Sequence, residues 1–167
     1  MSPAPRPEEP PAPPSAPGSL TLLGAAVVVH DPETGRILLL QRGPDASFAP
    51  GMWDIPGGKS EPGEPVTGTA VRELTEETGL TVRPEHLRLA HLTHGARTAG
   101  VPHGFLTVVF AARTWSGTLE NREPDKHPQV RWVDPRSLPE PLVPSTATAL
   151  RGYLDLADGP GIALRGW

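Results

Sequence analysis

Residues 58–80 read GKSEPGEPVTGTAVRELTEETGL, and the spacing of charges within them decides how this part of the chain must fold. Pro65 suits the first position of a helix, where its missing N–H is no loss. Gly79 is placed to end one, because glycine enters the left-handed conformation without a Cβ penalty. Between them Val66, Ala70 and Leu74 recur every four residues, the stripe of an amphipathic helix. Glu73, Glu76 and Glu77 stand at i, i+3 and i+4. At ~100° per residue they fall within an arc of roughly 100°, which we place away from the apolar stripe. Like charges ~6 Å apart at an effective dielectric of ~20 repel by about 3 kcal/mol, and even solvated pairs at this spacing cost a few tenths. A bare E-x-x-E-E would be satisfied as a solvated acidic face. Here the neighbours argue for a compensating cation. Gly57-Gly58 ahead of the helix lets backbone approach a metal or phosphate closely, and Arg72 can hold the Glu73 carboxylate in a bidentate contact. Hard divalent cations, magnesium first, are what such oxygens bind.

Outward from this motif the chain alternates strands with helices. Residues 20–29 and 36–41 are apolar and rich in β-branched residues and leucine. The turn chemistry of Asp31-Pro32-Glu33-Thr34-Gly35 between them predicts a hairpin. Residues 44–52 read as a loop, and Trp53 to Ile55 as a short strand ended by Pro56-Gly57-Gly58. Two further strands are expected at 86–94 and 104–113. In the second, Phe105, Thr107 and Val109 face one way and Leu106, Val108 and Phe110 the other. Both faces are largely apolar, so this strand should be central, with layers on both sides. Residues 129–134 read as another strand, and 145–157 as a last helix with Ser145 as its N-cap.

The 167 residues fit one domain with a real core, assigned to 20–158, with 159–167 as a C-terminal tail. Met1 to about Ser19 holds many of the 23 prolines. Such a segment cannot bury enough apolar surface to order itself, so it is expected as a disordered or polyproline II tail that solubilises the chain. A formal charge of −4 argues against a nucleic-acid polymer as partner, because phosphate backbones recruit basic surfaces. No cysteine is present, which excludes thiolate metal sites and cysteine nucleophiles and fits a reducing cytoplasm. No apolar run approaches the ~18 residues that cross a bilayer. The chain is therefore expected to be cytoplasmic, with no membrane partner. His91 and His94 lie three apart on a strand and face opposite sides, so they should not share an ion.

The motif resembles the signature of the Nudix hydrolases: Gly58, five residues, Glu64, seven residues, Arg72-Glu73, an aliphatic, one residue, Glu76-Glu77, one residue, Gly79 and an aliphatic. At roughly one in twenty per fixed residue, seven fixed positions arise by chance about once in 10⁹ windows. The approach Leu38-Leu39-Leu40-Gln41-Arg42, leading to Gly51-Met52-Trp53-Asp54-Ile55-Pro56-Gly57-Gly58, is similar to the family's as well. The resemblance implies an α/β fold, an α/β/α sandwich around a mixed sheet in which the motif forms loop-helix-loop. It implies that Glu73 and Glu77 bind metal, with Glu76 as third ligand or base partner and a Gly57 or Gly58 carbonyl completing the site. Glu64 and Arg72 would orient them. A further acidic ligand is expected from a later loop, Glu123 first and Glu120 second. Arg42 is expected at phosphate, and Trp53 and Phe48 as stacking surfaces for a base. Magnesium is the implied cofactor, with manganese as a substitute. Dimers are common in the family, which leaves a homodimer open.

The implied reaction is metal-assisted hydrolysis of a diphosphate linkage. Diphosphatases for ADP-ribose often carry a proline where this chain has Gly95. Dinucleoside polyphosphate hydrolases carry a tyrosine slightly later, whereas the one tyrosine here is Tyr153. The segment Glu123-Pro124-Asp125-Lys126, followed by Val130-Arg131-Trp132-Val133, is similar to MutT-like nucleoside-triphosphate diphosphatases. The expected substrate is thus a dNTP or NTP, oxidised forms included, with ADP-ribose or another nucleoside-diphosphate compound as the alternative. An isopentenyl diphosphate isomerase would need a cysteine. A nucleotide-binding regulator without catalysis is the alternative of another class, and such modules often lack carboxylates that this motif retains.

Overall fold

A computed structural model describes residues 21–97, 101–155 and 159–166; the expected tail at 1–19 lies outside them. The architecture grows from β1 (Leu22–Val29), whose side chains are apolar on both sides. Ala25, Val27 and Val29 join one core cluster while Ala26 and Val28 join another. A strand of this kind can only be interior, and it pairs in parallel with β6 (Phe105–Ala112) along its whole length. The five-stranded sheet runs β4-β1-β6-β5-β8, with β4 at Gly57–Lys59, β5 at Arg88–Gly95 and β8 at Gly161–Arg165. Its pairings are both parallel and antiparallel, so the sheet is mixed and β6 is central as expected. A smaller antiparallel sheet holds β3 (Trp53–Asp54), β2 (Ile37–Gln41) and β7 (Gln129–Val133).

Helices cover both faces. α1 (Val66–Thr78) buries Ala70 and Leu74 against β1, and α2 (Pro144–Asp155) buries Ala149, Leu150 and Tyr153 on the opposite side. Each fully buried leucine of this kind stabilises the fold by about 1.5–3 kcal/mol. The result is the α/β/α sandwich that the motif implied. Gly79 ends α1 as expected, with φ of 73° and its N–H donated to the Thr75 carbonyl. Among the described residues no helix is long and apolar enough to cross a membrane.

Four expectations need correction. The hairpin splays: after one bridge, His30 to Ile37, β1 and β2 enter different sheets. The Asp31 carboxylate closes the turn by accepting from the Glu33 N–H and the Thr34 hydroxyl. Gly57–Lys59 is itself a strand, antiparallel to β1; glycines carry no side chain whose alternation would reveal it. Ser145 does not cap α2, which begins at Pro144, a residue whose fixed φ suits the first turn. Residues 161–165, assigned to a tail, form the edge strand β8, parallel to β5.

Candidate active site

Helix phase places the three glutamates at three depths. Relative to Ala70, the positions of Glu76, Glu73 and Glu77 lie at about 240°, 300° and 340°, so Glu77 shares the azimuth of the apolar stripe. The expectation that all three face away from that stripe is therefore wrong for Glu77, which is buried. Glu73 is largely covered, and Glu76 remains half exposed.

Burying a carboxylate requires hydrogen-bond donors, and Glu77 has them on both oxygens. The Gly57 N–H donates to Oε2 at 3.0 Å, and His127 Nε2 lies 3.0 Å from Oε1. Desolvation nevertheless pushes the Glu77 carboxyl up, against the opposing pull of His127 and Gly57 and with help from Glu73. Glu123 reaches the same place from the loop before β7. Among the described residues, Glu77, Glu123 and His127 form a group whose ligand atoms lie within 4.8 Å of one another. Of the two loop candidates, Glu123 is thus brought in, whereas Glu120 pairs with Arg122 at the surface.

Arg72 assembles the rest. Its Nε and Nη2 donate to the two oxygens of Glu64 at 2.8 and 3.1 Å, and its Nη1 to Glu73 Oε1 at 2.8 Å and Glu76 Oε2 at 3.4 Å. Nη2 also donates to the Lys59 carbonyl at 3.0 Å, tying the helix to β4. One guanidinium therefore separates carboxylates that would otherwise repel. The glycines allow the approach. A Cβ on Gly58 would overlap the Glu73 carboxylate, lying 2.6 Å from its Oε2. A Cβ on Gly57 would strike the backbone of Ala25 and Ala26.

The contact with Arg72, the Glu61 N–H and the Thr69 hydroxyl hold the Glu64 carboxyl down at about 2. A carboxyl with its folded pKa below the unfolded value stabilises the fold at neutral pH. That contribution disappears as pH falls through the window from the ordinary 4.5 to about 2. Wild type should therefore exceed Glu64→Gln in stability at pH 7, and the two denaturation midpoints should converge below pH 2. A constant difference across that window would show that the Glu64 charge is not what matters.

None of the three expected substrate residues belongs to this group, though Arg42 lines a cleft together with His127. Arg42 is committed within the protein. Its Nε donates to the Phe48 carbonyl at 2.7 Å and its Nη1 to Asp54 Oδ2 at 3.3 Å, with Thr146 donating to the other Asp54 oxygen. Its guanidinium also lies 5.4 Å from the Phe48 ring centroid. Arg42 thus pins the 43–52 loop. Trp53 is no open stacking surface: its ring is buried in the core and covered by Arg131, 4.5 Å from the centroid. Phe48 is exposed. A cleft of about 250 Å³ nearby is lined by Arg42, Gly43, Asp45, Ala46, Ser47, Asp125, Lys126 and His127. His91 is buried beside Gly152 and Gly161, and neither ring nitrogen has a hydrogen-bond partner among the described residues.

His127 is the residue that sequence reasoning missed. It sits four residues after Glu123, and the N–H groups of Lys126 and His127 both donate to the Glu123 carbonyl. Glu-x-x-x-His at one-turn spacing in an acidic loop was the available signal.

The chain is similar to known proteins in both sequence and fold. The NUDIX domain matches residues 20–153. The chain is 32% identical over 133 residues to CTP pyrophosphohydrolase of Escherichia coli K12, covering 79% of this chain and 90% of that protein. Over 72 residues it is 42% identical to nucleoside diphosphate-linked moiety X motif 6 of Mus musculus, covering 38% of this chain and only 22% of the mouse protein. The crystal structure of a MutT NUDIX hydrolase from Burkholderia pseudomallei superposes with a TM-score of 0.70 at 29% identity, covering 80% of this chain and 98% of that one. With glutamates, arginine and glycines meeting as the motif requires, the chain belongs to the NUDIX family and is a MutT-like Nudix hydrolase.

Proposed function

We propose that this protein hydrolyses a nucleoside triphosphate, dNTP or NTP and oxidised forms among them, to a nucleoside monophosphate and pyrophosphate with magnesium as cofactor. The observation that carries the reading is the convergence of Glu77, Glu123 and His127 beside the Gly58–Glu73–Arg72 contact. The donor set fits a hard divalent ion. Carboxylate oxygens are the ligands such ions take, and Glu77 is a buried carboxyl whose charged form a cation would favour. Glu73, Glu76, Glu77 and Glu123 would hold the ions, with a Gly57 or Gly58 carbonyl. His127 suits the role of donor that orients Glu77, since hard cations prefer oxygen.

Bound metal supplies neutralisation of the phosphate chain and acidification of water. The chain's own residues do the rest. Arg72 fixes the Glu73 carboxylate, and Gly57 and His127 fix that of Glu77, so the oxygens are aimed before substrate arrives. Glu73 or Glu76 accepts the proton of the attacking water. The water oxygen bonds to phosphorus as the bridging P–O bond breaks, and the bond pair leaves with pyrophosphate. Support for a triphosphate comes from the likeness to CTP pyrophosphohydrolase. The loop that carries Glu123 and the strand that carries Trp132 add to it.

A screen over NTPs, dNTPs, 8-oxo-dGTP, ADP-ribose and diadenosine polyphosphates, with products identified, tests this directly. Pyrophosphate release from triphosphates, lost on chelation with EDTA and restored by Mg²⁺, is the expected result. AMP plus ribose phosphate as the dominant products would move the assignment to ADP-ribose.

A further inference from the structure

The turn that delivers Glu123 and His127 also delivers a cation. Lys126 Nζ lies 2.6 Å from Glu123 Oε1, and the other oxygen of that carboxylate is 3.9 Å from His127 Nε2. The backbone of Lys126 is fixed from two sides: its N–H donates to Glu123, and its carbonyl accepts from the Gly43 N–H at 2.8 Å. The Lys126 side chain is 69% exposed and that of Glu123 24%, while Glu77 and His127 lie behind at 7% and 8%. The ammonium thus sits on the solvent side of the cluster. Behind it, the buried His127 Nδ1 has no hydrogen-bond partner among the described residues. Lys126 also lines the cleft of about 250 Å³ that it shares with Arg42, Asp45 and Ser47.

Glu123 Oε1 carries the ammonium while Oε2, the oxygen nearer His127, does not, so a divalent ion taken up at Oε2 would sit one carboxylate's width from a like charge. An entering ion therefore repels Lys126, and the released ammonium faces the adjoining cleft, where Asp45 and Asp125 also line the wall and a phosphate chain would bring the denser negative charge. We propose that Lys126 is the resident counter-ion of the metal site: the divalent ion displaces it from Glu123, and it then binds the phosphates of the nucleotide. This rests on the metal reading above. The residue is a positioning residue that holds Glu123 in register before loading and substrate afterwards. Its removal should push two affinities in opposite directions.

The test uses the full chain. Mn²⁺ is titrated without nucleotide and followed by the electron paramagnetic resonance of the free ion; KM for the preferred triphosphate is measured separately. Lys126→Met should bind Mn²⁺ about two- to fivefold more tightly, the scale of an exposed ion pair. Its KM should rise about tenfold, the scale of a lost hydrogen bond to a charged group. Arg122→Gln removes the same charge from the same loop without touching Glu123, and should leave Mn²⁺ affinity unchanged. Unchanged or weaker Mn²⁺ binding by Lys126→Met overturns the proposal, as does equal tightening by Arg122→Gln. If wild type binds no Mn²⁺, the metal reading falls and this inference with it.

Discussion

Glu77→Gln should abolish turnover, lowering kcat by at least about a thousandfold, roughly 4 kcal/mol of transition-state stabilisation, while the protein remains folded. Both halves follow from the same geometry. Glu77 is the deepest of the three helix glutamates, fixed by the Gly57 N–H and His127. Its charge is therefore aimed, and a neutral amide cannot hold a divalent ion in its place. Yet burial already disfavours the ionised form in the metal-free protein. Glutamine keeps the volume, an oxygen for Gly57 and a group to meet the imidazole, so the change in stability should stay within about 1 kcal/mol. Steady-state rates in saturating Mg²⁺, paired with thermal melts, check both. Wild-type rates would remove Glu77 from the site, and a collapsed melt would make it structural.

Gly57→Ala carries the largest expected effect on stability. The added methyl would meet the Ala25 carbonyl and lie 2.6 Å from the Ala26 Cα. Those atoms are backbone of a buried central strand and cannot rotate aside. Overpacking of this kind costs about 3 kcal/mol or more, which for a chain of this size lowers Tm by about 6–12 °C. A melt within 2 °C of wild type would show that β4 can slide along β1. Gly58→Ala differs in kind, because the atoms it meets belong to the movable Glu73 side chain. It should act mainly on catalysis.

The sequence was informative where spacing alone sets geometry. Pro65, the Val66/Ala70/Leu74 stripe and Gly79 determine a helix, the glutamate spacing gives its charged arc, and the two apolar faces of β6 placed it inside the sheet. Legibility failed where a contact joins distant residues. Nothing local says that His127 lies 3.0 Å from Glu77 fifty residues earlier, or that Asp54 engages Arg42. It also failed where side chains are too small to leave a pattern, as in Gly57–Lys59, and at the short edge strand Gly161–Arg165, whose pairing partner lies some seventy residues away. The error over Glu77 was of another sort. Seven residues make almost two full turns, so its alignment with Ala70 was available from the helix period.

That alignment makes the helix a screw thread. Each step along it advances a side chain by about 1.5 Å and ~100°, so three chemically identical groups become non-interchangeable parts: one at the mouth, one at the wall, one at the floor. An inserted or deleted residue between Pro65 and Glu77 would not merely crowd the motif. It would turn the whole set like a key in the wrong notch, presenting the floor group to bulk water and driving a neighbour into the core.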